Sequence, residues 1–385
     1  MSKLYNMVTT APHINVTKYL YPLLSIAIAI LAIVPARTSA LMPPTLTQRN
    51  VILHNHRPTS SNIAQQKSST GRSSSSSSTK LSASNNPIDI IRGGATLFNN
   101  APFQRSLQAL AYINGIGTLI SMVTGSHVHL DLLGTGAFAV AAIASISKST
   151  STQLLPRHQV STAAVSIWSV KLASFLFYRA LQVHHDARLT DTLGTAGGTL
   201  MFWFISFLWG VLCSLPHTLG VTSSLAGKNK ISLGIGSIVY ISGLIVETLA
   251  DYQKWQFKKL HPGKFCNVGL WSVSQHPNFF GNMVLWAGIF IMNLPALIEP
   301  STSGVGVGVG SSKASWVKQI GRCLWRFRRV GFALISPWFM WTLFSGQTNG
   351  TITNAVELVA QKYGSDPDFV EYTKSVPLIV PKMFL

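Results

Sequence analysis

The chain has 385 residues, of which 47% are hydrophobic and only 11% are charged. Soluble domains carry about 25% charged residues, so this chain has too little ionic surface for a soluble enzyme of its size. Its three cysteines form no CxxC pair, which argues against a disulfide framework and a zinc site. Composition therefore predicts an all-α protein that crosses a membrane several times.

The net charge of +19 raises the possibility of nucleic-acid binding, but its distribution argues against it. The first acidic residue is Asp89, so every Lys, Arg, Asp or Glu among the first 88 residues is a lysine or an arginine. The later charges lie in short segments between apolar runs, as in membrane loops. We therefore expect the lipid bilayer as a partner, and neither a nucleic acid nor a metal.

The N-terminal region has the composition of a targeting sequence. An apolar run over 19–34 follows Lys3 and Lys18 and precedes small residues, which predicts a signal-peptide-like segment over 1–40. Residues 41–88 are rich in serine, basic and free of acids, which predicts a disordered, transit-like segment. The pair resembles the bipartite presequence of an alga with a complex plastid and predicts a plastid membrane. The alternative is an uncleaved anchor with a disordered linker, in the endoplasmic reticulum membrane.

Seven apolar segments follow, and several reach the roughly 20 residues that cross about 30 Å of hydrocarbon. Backbone groups in lipid must be paired internally, so these segments predict a polytopic bundle of six to seven spanning helices within 105–385. Two of them, 131–147 and 283–298, are short enough to be tilted or re-entrant. The glycine–valine repeat and the basic run over 299–329 predict a loop insertion. The segments are 104–124, 131–147, 159–181, 194–216, 231–250, 283–298 and 328–346.

Four charged residues at the end of the fifth segment are spaced to share one helical face: Glu247, Asp251, Lys254 and Lys258. Carboxylates at a membrane boundary are costly, which indicates a function. The alternative is a helix end that emerges into water, with the lysines offsetting the acids.

Two further features stand out. In the segment Ser274–Asn282, Pro277 predicts a helix stop, and exposed N–H groups before a helix that begins near 282 predict an anion site. His276 is the side chain there that titrates near neutral pH. Lys171 lies within the third segment, and an intramembrane lysine predicts a partner in the bundle interior. Snorkelling to the interface is the alternative for Lys171.

The run from Glu247 to Phe290 reads VETLADYQKWQFKK, GKFCNVGLWSVSQHPNFFGN and MVLWAGIF in its main parts. It resembles the C-terminal signature of the steroid 5-alpha-reductase-like membrane family, and is closest to a branch known only as a domain of unknown function. That branch typically reads E-x-x-A-D-x-Q-K-x-x-F-K, then S-R-H-P-N-Y-F-G-E. Further matches, which extend the resemblance over about 105–385, are Trp168, Leu172, Phe175, Leu176, Arg179, Asp186, Arg188, Tyr372, Pro377 and Pro381. Departures from the signature are Lys171 and Gln275 for arginine, Phe279 for tyrosine and Asn282 for an acid.

The resemblance implies an enzyme that uses NADPH to reduce an activated carbon–carbon double bond of a sterol-, isoprenoid- or fatty-enone-like membrane lipid. It identifies no catalytic residue. Two alternatives stay open: a methyltransferase that uses S-adenosylmethionine, because isoprenylcysteine methyltransferases share a related segment, and a non-catalytic membrane protein that retains the fold. The cofactor-binding residues that the resemblance implies are Arg179, Asp186, Arg188, Glu247, Asp251, Gln253, Lys254, Trp271, His276, Asn278 and Gly281.

Overall fold

The structure is a computed structural model that describes residues 98–147, 155–182, 193–222, 230–298, 313–350 and 355–384. The predicted signal-peptide-like and transit-like segments, 1–40 and 41–88, lie outside these ranges. So do residues 299–312 of the predicted loop insertion and the predicted cofactor-binding residues Asp186 and Arg188.

The described ranges form an all-α bundle without a β-strand, which confirms the predicted fold class. Two short 3-10 helices accompany the α-helices, at Gly269–Ser272 and Lys382–Phe384. The nine α-helices of these ranges are α1 (Ala101–Thr124), α2 (Leu130–Ile146), α3 (Pro156–Gln182), α4 (Ala196–Val221), α5 (Lys230–Leu260), α6 (Pro277–Leu297), α7 (Lys313–Thr348), α8 (Ala355–Tyr363) and α9 (Pro367–Ser375).

Five of these helices, α1 and α3 to α6, are long and apolar enough to cross a membrane, and α2 is a shorter apolar helix. Their outward faces are apolar as well. On α5, for example, Ile231, Ile238 and Ile245 are 72%, 67% and 51% exposed. Exposure of such an apolar surface to water is unfavourable, whereas contact with the hydrocarbon of a membrane is not. The chain is therefore an integral, multi-pass membrane protein.

Two helix starts differ from the sequence prediction. Pro277 begins α6 instead of stopping a helix, because proline at the first helical position lacks only an N–H that has no intrahelical partner anyway. Helix α7 begins at Lys313, so residues 313–329 are helical and not part of a loop. Trp316, Ile320 and Leu324 recur every four residues among basic ones, a pattern that a search for continuous apolar runs misses.

The centre of the bundle is aromatic. Trp168 of α3 packs edge-on against Trp286 of α6, with ring centroids 5.0 Å apart, and against Phe138 of α2 at 5.2 Å. All three side chains are almost fully buried. They join α2, α3 and α6, and Trp168 Nε1 also donates to Glu247 Oε1 at 3.2 Å, in the candidate site described below.

Helices α5 and α6 approach each other closely through glycines. Gly243 of α5 faces the backbone of Gly281 and Leu285, and Gly236 faces that of Gly288. Without side chains, the two backbones lie near enough for short polar groups on one helix to reach the other. This contact positions the candidate site.

At the opposite end of the bundle, arginines hold the last carbonyls of neighbouring helices. Arg105 of α1 donates from Nε to Ala144 O at 2.9 Å and from Nη2 to Ser145 O at 3.1 Å, at the end of α2. Arg329 of α7 donates to Leu219 O of α4 at 3.4 Å. Cations at helix C-termini satisfy carbonyls that lack intrahelical partners.

We predict that Arg105→Ala lowers the free energy of unfolding by about 1–2 kcal/mol, because two carbonyls at the end of α2 lose their donor. Denaturant titration in mixed micelles measures the change. The control is Gln108→Ala on an exposed position of the same helix, for which we expect no loss. Equal effects of the two substitutions would contradict the capping role.

Candidate functional site

The candidate site is built around Glu247 of α5, whose carboxylate is buried. Its Oε1 accepts from Asn282 Nδ2 of α6 at 2.6 Å and from Trp168 Nε1 of α3 at 3.2 Å. Its Oε2 accepts from Lys171 Nζ of α3 at 2.9 Å. A buried carboxylate requires such donors and an opposite charge. The partner that the sequence predicts for Lys171 is therefore Glu247.

One helical turn further along α5, Asp251 extends the same group. Its Oδ1 accepts from Asn278 Nδ2 at 3.2 Å, and its Oδ2 lies 3.9 Å from Lys171 Nζ. Asn278 and Asn282 are four residues apart on α6, so both amides face α5. We call Glu247, Asp251, Lys171, Asn278 and Asn282 the carboxylate cluster.

The two asparagines of the cluster each keep an acceptor available. Asn278 Oδ1 and Asn282 Oδ1 are buried, and neither has a hydrogen-bond partner within the described part of the chain. Buried polar atoms without partners are rare and are often found where a ligand binds. The cluster can therefore accept hydrogen bonds from a ligand.

Positively charged side chains lie next to the cluster, toward the C-terminal ends of α3 and α5. Arg179 of α3 and Lys254 of α5 lie near enough to Asp251 to act on its charge. Lys254 Nζ also lies 4.2 Å from the ring centroid of Trp271. Lys258 Nζ donates to Tyr363 Oη at 2.7 Å. These positive charges could meet anionic groups of a ligand that reaches the cluster from this end.

His276 lies immediately before α6 and stacks on Phe279, with ring centroids 5.1 Å apart. Burial, and secondly the charge of Lys254, lower the pKa of His276 to about 3. The imidazole is therefore neutral at physiological pH and cannot serve there as a proton donor of the imidazolium type. The influence of Lys254 on both His276 and Asp251 places all three at the same end of the bundle.

We predict that His276 makes the protein less stable in acid. The unfolded histidine binds a proton below a pKa of about 6.5 and the folded one does not, so stability falls as the pH drops below that value. The loss is about 1–2 kcal/mol at about pH 5. The measurement compares wild type with His276→Gln from about pH 7 to about pH 5. A stability difference that does not change with pH would contradict the neutral, buried imidazole.

The C-terminal tail is fastened to the segment that carries His276. Backbone Gln275 N donates to Pro377 O at 2.9 Å, and Lys382 N donates to Val273 O at 3.1 Å. Gln275 Nε2 donates to Val376 O at 2.6 Å and to Thr373 O at 3.1 Å. Gln275, which stands where the signature that the sequence resembles has arginine, thus binds the tail to the candidate site.

Aromatic side chains strengthen the same contact. Tyr372 Oη of α9 donates to Trp271 O at 2.7 Å, and the Phe265 ring packs against Tyr372 and Phe369, with centroids 5.4 and 5.2 Å apart. Burial raises the pKa of Tyr372, so its phenol stays protonated and can donate. The tail therefore forms one wall beside the loop between α5 and α6.

The predicted cofactor-binding residues fall into three groups. Glu247, Asp251 and Asn278 meet in the carboxylate cluster, with Arg179, Lys254 and His276 around it. Three others make internal contacts: Gln253 Oε1 accepts from Leu270 N at 2.9 Å, Trp271 Nε1 donates to Ala250 O at 2.9 Å, and Gly281 packs on α5. Asp186 and Arg188 lie outside the described residues. Cofactor contact stays a prediction for all of them.

Comparison with known families gives a match over the middle of the chain. Residues 118–304 match the family described as a protein of unknown function, DUF1295. This confirms the resemblance to the branch of unknown function, and the match includes the whole carboxylate cluster but not the tail. No curated protein and no solved structure matches the chain. Among the residues that the structure describes, no group of three metal-ligating side chains could hold a metal ion.

Sequence reasoning did not place Trp168, Asn282 or Gln275 in contact with the site. The signal for Asn282 was available, because it lies one helical turn after Asn278 and shares its face. Trp168 likewise lies three residues before Lys171 on α3. Gln275 carried no such signal, because its side chain binds backbone carbonyls, which any tail sequence would present.

Proposed function

We propose that the protein is a membrane-bound reductase that uses NADPH to reduce an activated carbon–carbon double bond of a sterol-, isoprenoid- or fatty-enone-like lipid. The observation that carries the proposal is the carboxylate cluster. Charged and amide side chains from three helices meet at one end of an apolar bundle, and four of the five residues lie in the run that resembles the signature of the reductase family.

The residues present fit a nicotinamide nucleotide. The partnerless acceptors Asn278 Oδ1 and Asn282 Oδ1 suit the N–H groups of a carboxamide, and Arg179 and Lys254 supply positive charge for phosphates. When bound, the nucleotide would supply the hydride. The chain's own residues would hold and orient the nucleotide. Asp251 fixes the Asn278 amide, and the neutral His276 stacks on Phe279 at the start of α6.

A thermal-shift experiment on the purified full chain in detergent tests this proposal. At an NADPH concentration about 100 times Kd, stabilisation of about 2.7 kcal/mol is expected from mass action. Stabilisation by S-adenosylmethionine alone would instead support the methyltransferase. Stabilisation by neither ligand would support a non-catalytic protein that retains the fold.

We predict that Asp251→Ala and His276→Ala each reduce the NADPH-induced shift, measured against each variant's own unliganded midpoint. Asp251→Ala releases the Asn278 amide, and His276→Ala removes the ring next to α6. We expect at least about a tenfold weaker Kd for Asp251→Ala, the usual scale for one lost charge-assisted contact. Asp368→Ala, at an exposed position in the tail, is the control. An NADPH shift that both variants retain in full would contradict the site assignment.

We also propose, from the composition of residues 1–88, that the protein resides in a plastid membrane. Fusing this region to a fluorescent protein in an alga with complex plastids tests the proposal. Fluorescence in the endoplasmic reticulum would support the alternative of an uncleaved anchor.

A further inference from the structure

The side chain of Lys171 is partly exposed, although it forms an ion pair with the buried Glu247. The Lys171 side chain is 23% exposed, whereas those of Glu247 and Asp251 are 3% and 13% exposed. On α3 it lies next to Ile167 and Val170, which are 55% and 56% exposed on the lipid-facing surface. The ammonium group therefore lies at the edge of the carboxylate cluster that faces the bilayer.

Snorkelling does not explain this exposure. Helix α3 continues to Gln182, so about 16 Å of helix separate Lys171 from that end at 1.5 Å per residue. The side chain points instead to Glu247, its hydrogen-bond acceptor at 2.9 Å. A charged group within an apolar helix is costly and usually serves a function.

The hydrogen bonds of the cluster leave Lys171 with donor capacity. An ammonium group has three N–H donors, and within the described residues one of them reaches an acceptor, Glu247. Asp251 Oδ2, at 3.9 Å, is beyond hydrogen-bond distance. Glu247 in turn is bound by Trp168 and Asn282, so Lys171 is not its sole donor. A ligand oxygen at the exposed side would therefore find a desolvated N–H donor.

Phe175 lies one helical turn after Lys171 on α3 and packs against α5. Toward the C-terminus of α3 from Lys171, aromatic side chains join α3 to α5. The ring centroid of Trp255 on α5 lies 6.4 Å from that of Phe175 and 5.8 Å from that of Tyr178. The two helices thus contact each other through aromatic side chains, and the polar group of Lys171 lies one helical turn away on α3. This arrangement suits a ligand with an apolar body and one polar atom.

Charge selects the kind of polar atom. Glu247 Oε2 and Asp251 Oδ2 lie 2.9 and 3.9 Å from Lys171 Nζ, so two carboxylates already balance its charge at short range, whereas Arg179 and Lys254 act on Asp251 from the side of the helix ends. A ligand carboxylate would be repelled, whereas a neutral oxygen would accept the hydrogen bond without that cost. We propose that Lys171 binds the neutral carbonyl oxygen of a lipid that enters from the bilayer between α3 and α5. The inference rests on the proposed function and names the polar recognition group of its lipid substrate.

The test measures binding of three matched probes to the full chain in detergent: a long-chain conjugated polyenone, the polyene hydrocarbon and the polyene carboxylic acid. Energy transfer from tryptophan reports binding, since Trp168 and Lys171 both bind Glu247 and Trp255 contacts Phe175, one helical turn after Lys171. For wild type, the polyenone should bind at least about tenfold tighter than the hydrocarbon, which is about 1.4 kcal/mol. The carboxylic acid should bind no tighter than the hydrocarbon.

Lys171→Met should reduce the ratio of polyenone to hydrocarbon affinity to about one, and Lys171→Arg should retain it, because a guanidinium also donates. The double variant Lys171→Met with Glu247→Leu removes both charges and provides the same test if the single variant folds poorly. Lys230→Met, at the exposed start of α5, is the control and should keep the ratio. A wild-type ratio near one, or a ratio that survives in Lys171→Met, would overturn the inference.

The NADPH shift, measured on the same samples, separates this inference from the proposed function. A Lys171-dependent preference for the ketone without any NADPH shift would refute the reductase and leave the lipid site in place. An NADPH shift without that preference would refute the lipid site alone.

Discussion

Glu247→Ala is expected to lower the free energy of unfolding by about 3–5 kcal/mol, because it removes one partner of a buried ion pair. The alanine removes the nearer counter-charge of the Lys171 ammonium and leaves Asp251 Oδ2, at 3.9 Å. It also removes the acceptor of Trp168 Nε1 and Asn282 Nδ2, both in buried side chains. Unfolding in mixed micelles, followed by tryptophan fluorescence, measures the loss.

A double-mutant cycle identifies the source of this effect. Replacing both partners, as in Lys171→Met with Glu247→Leu, removes both charges together and should cost clearly less than the sum of the losses measured for Lys171→Met and Glu247→Leu singly. Glu371→Ala, an exposed acid on α9, should change stability by less than about 0.5 kcal/mol. Additive effects of the two cluster substitutions, or a loss below about 1 kcal/mol for Glu247→Ala, would show that water screens the pair.

The fold was predictable from the sequence wherever a helix is apolar along its whole length. Lipid imposes a minimum length and internal hydrogen bonding, so a continuous apolar run determines both the type and the approximate bounds of a helix. The prediction of a loop was wrong for residues 313–329, which form no continuous apolar run. Residues 313–329 alternate basic and apolar side chains, which an interfacial helix tolerates and a search for spans ignores.

The carboxylate cluster was predictable in part. Spacing along one helix placed Glu247 and Asp251 on a common face, and cost arguments required a partner for Lys171. Nothing local could identify that partner, because the pairing joins α3 to α5 across 76 positions of the chain. It depends on how the helices pack, and therefore on glycines whose importance is visible only in three dimensions.

Asn282 shows how a departure from the signature that the sequence resembles can be compatible with the cluster. An acid at this position would face Glu247 at hydrogen-bond distance and add a third carboxylate next to one lysine. The amide instead donates to Glu247 at 2.6 Å and keeps an acceptor for a ligand. In the same way, Gln275 replaces a charge by an amide that binds the tail.

Gly281→Val is expected to destabilise the protein by about 3 kcal/mol and to abolish NADPH binding, because it forces α5 and α6 apart. A Cβ at Gly281 would lie 2.5 Å from Glu247 N and 2.8 Å from Gly243 O, and backbone atoms cannot turn away as a flexible side chain can. Separation of the helices would break the hydrogen bonds from Asn282 to Glu247 and from Asn278 to Asp251. Unfolding in micelles and the NADPH-induced shift are the two measurements.

Gly234→Val on α5 is the matched control, since a Cβ there meets nothing within 4 Å. The same change of residue type in the same kind of helix should leave stability within about 0.5 kcal/mol of wild type and keep the NADPH shift. The comparison therefore isolates the close approach of two backbones from the intrinsic helix propensity of valine. Equal losses at the two positions would mean that helix propensity, and not the contact between α5 and α6, sets the geometry of the cluster.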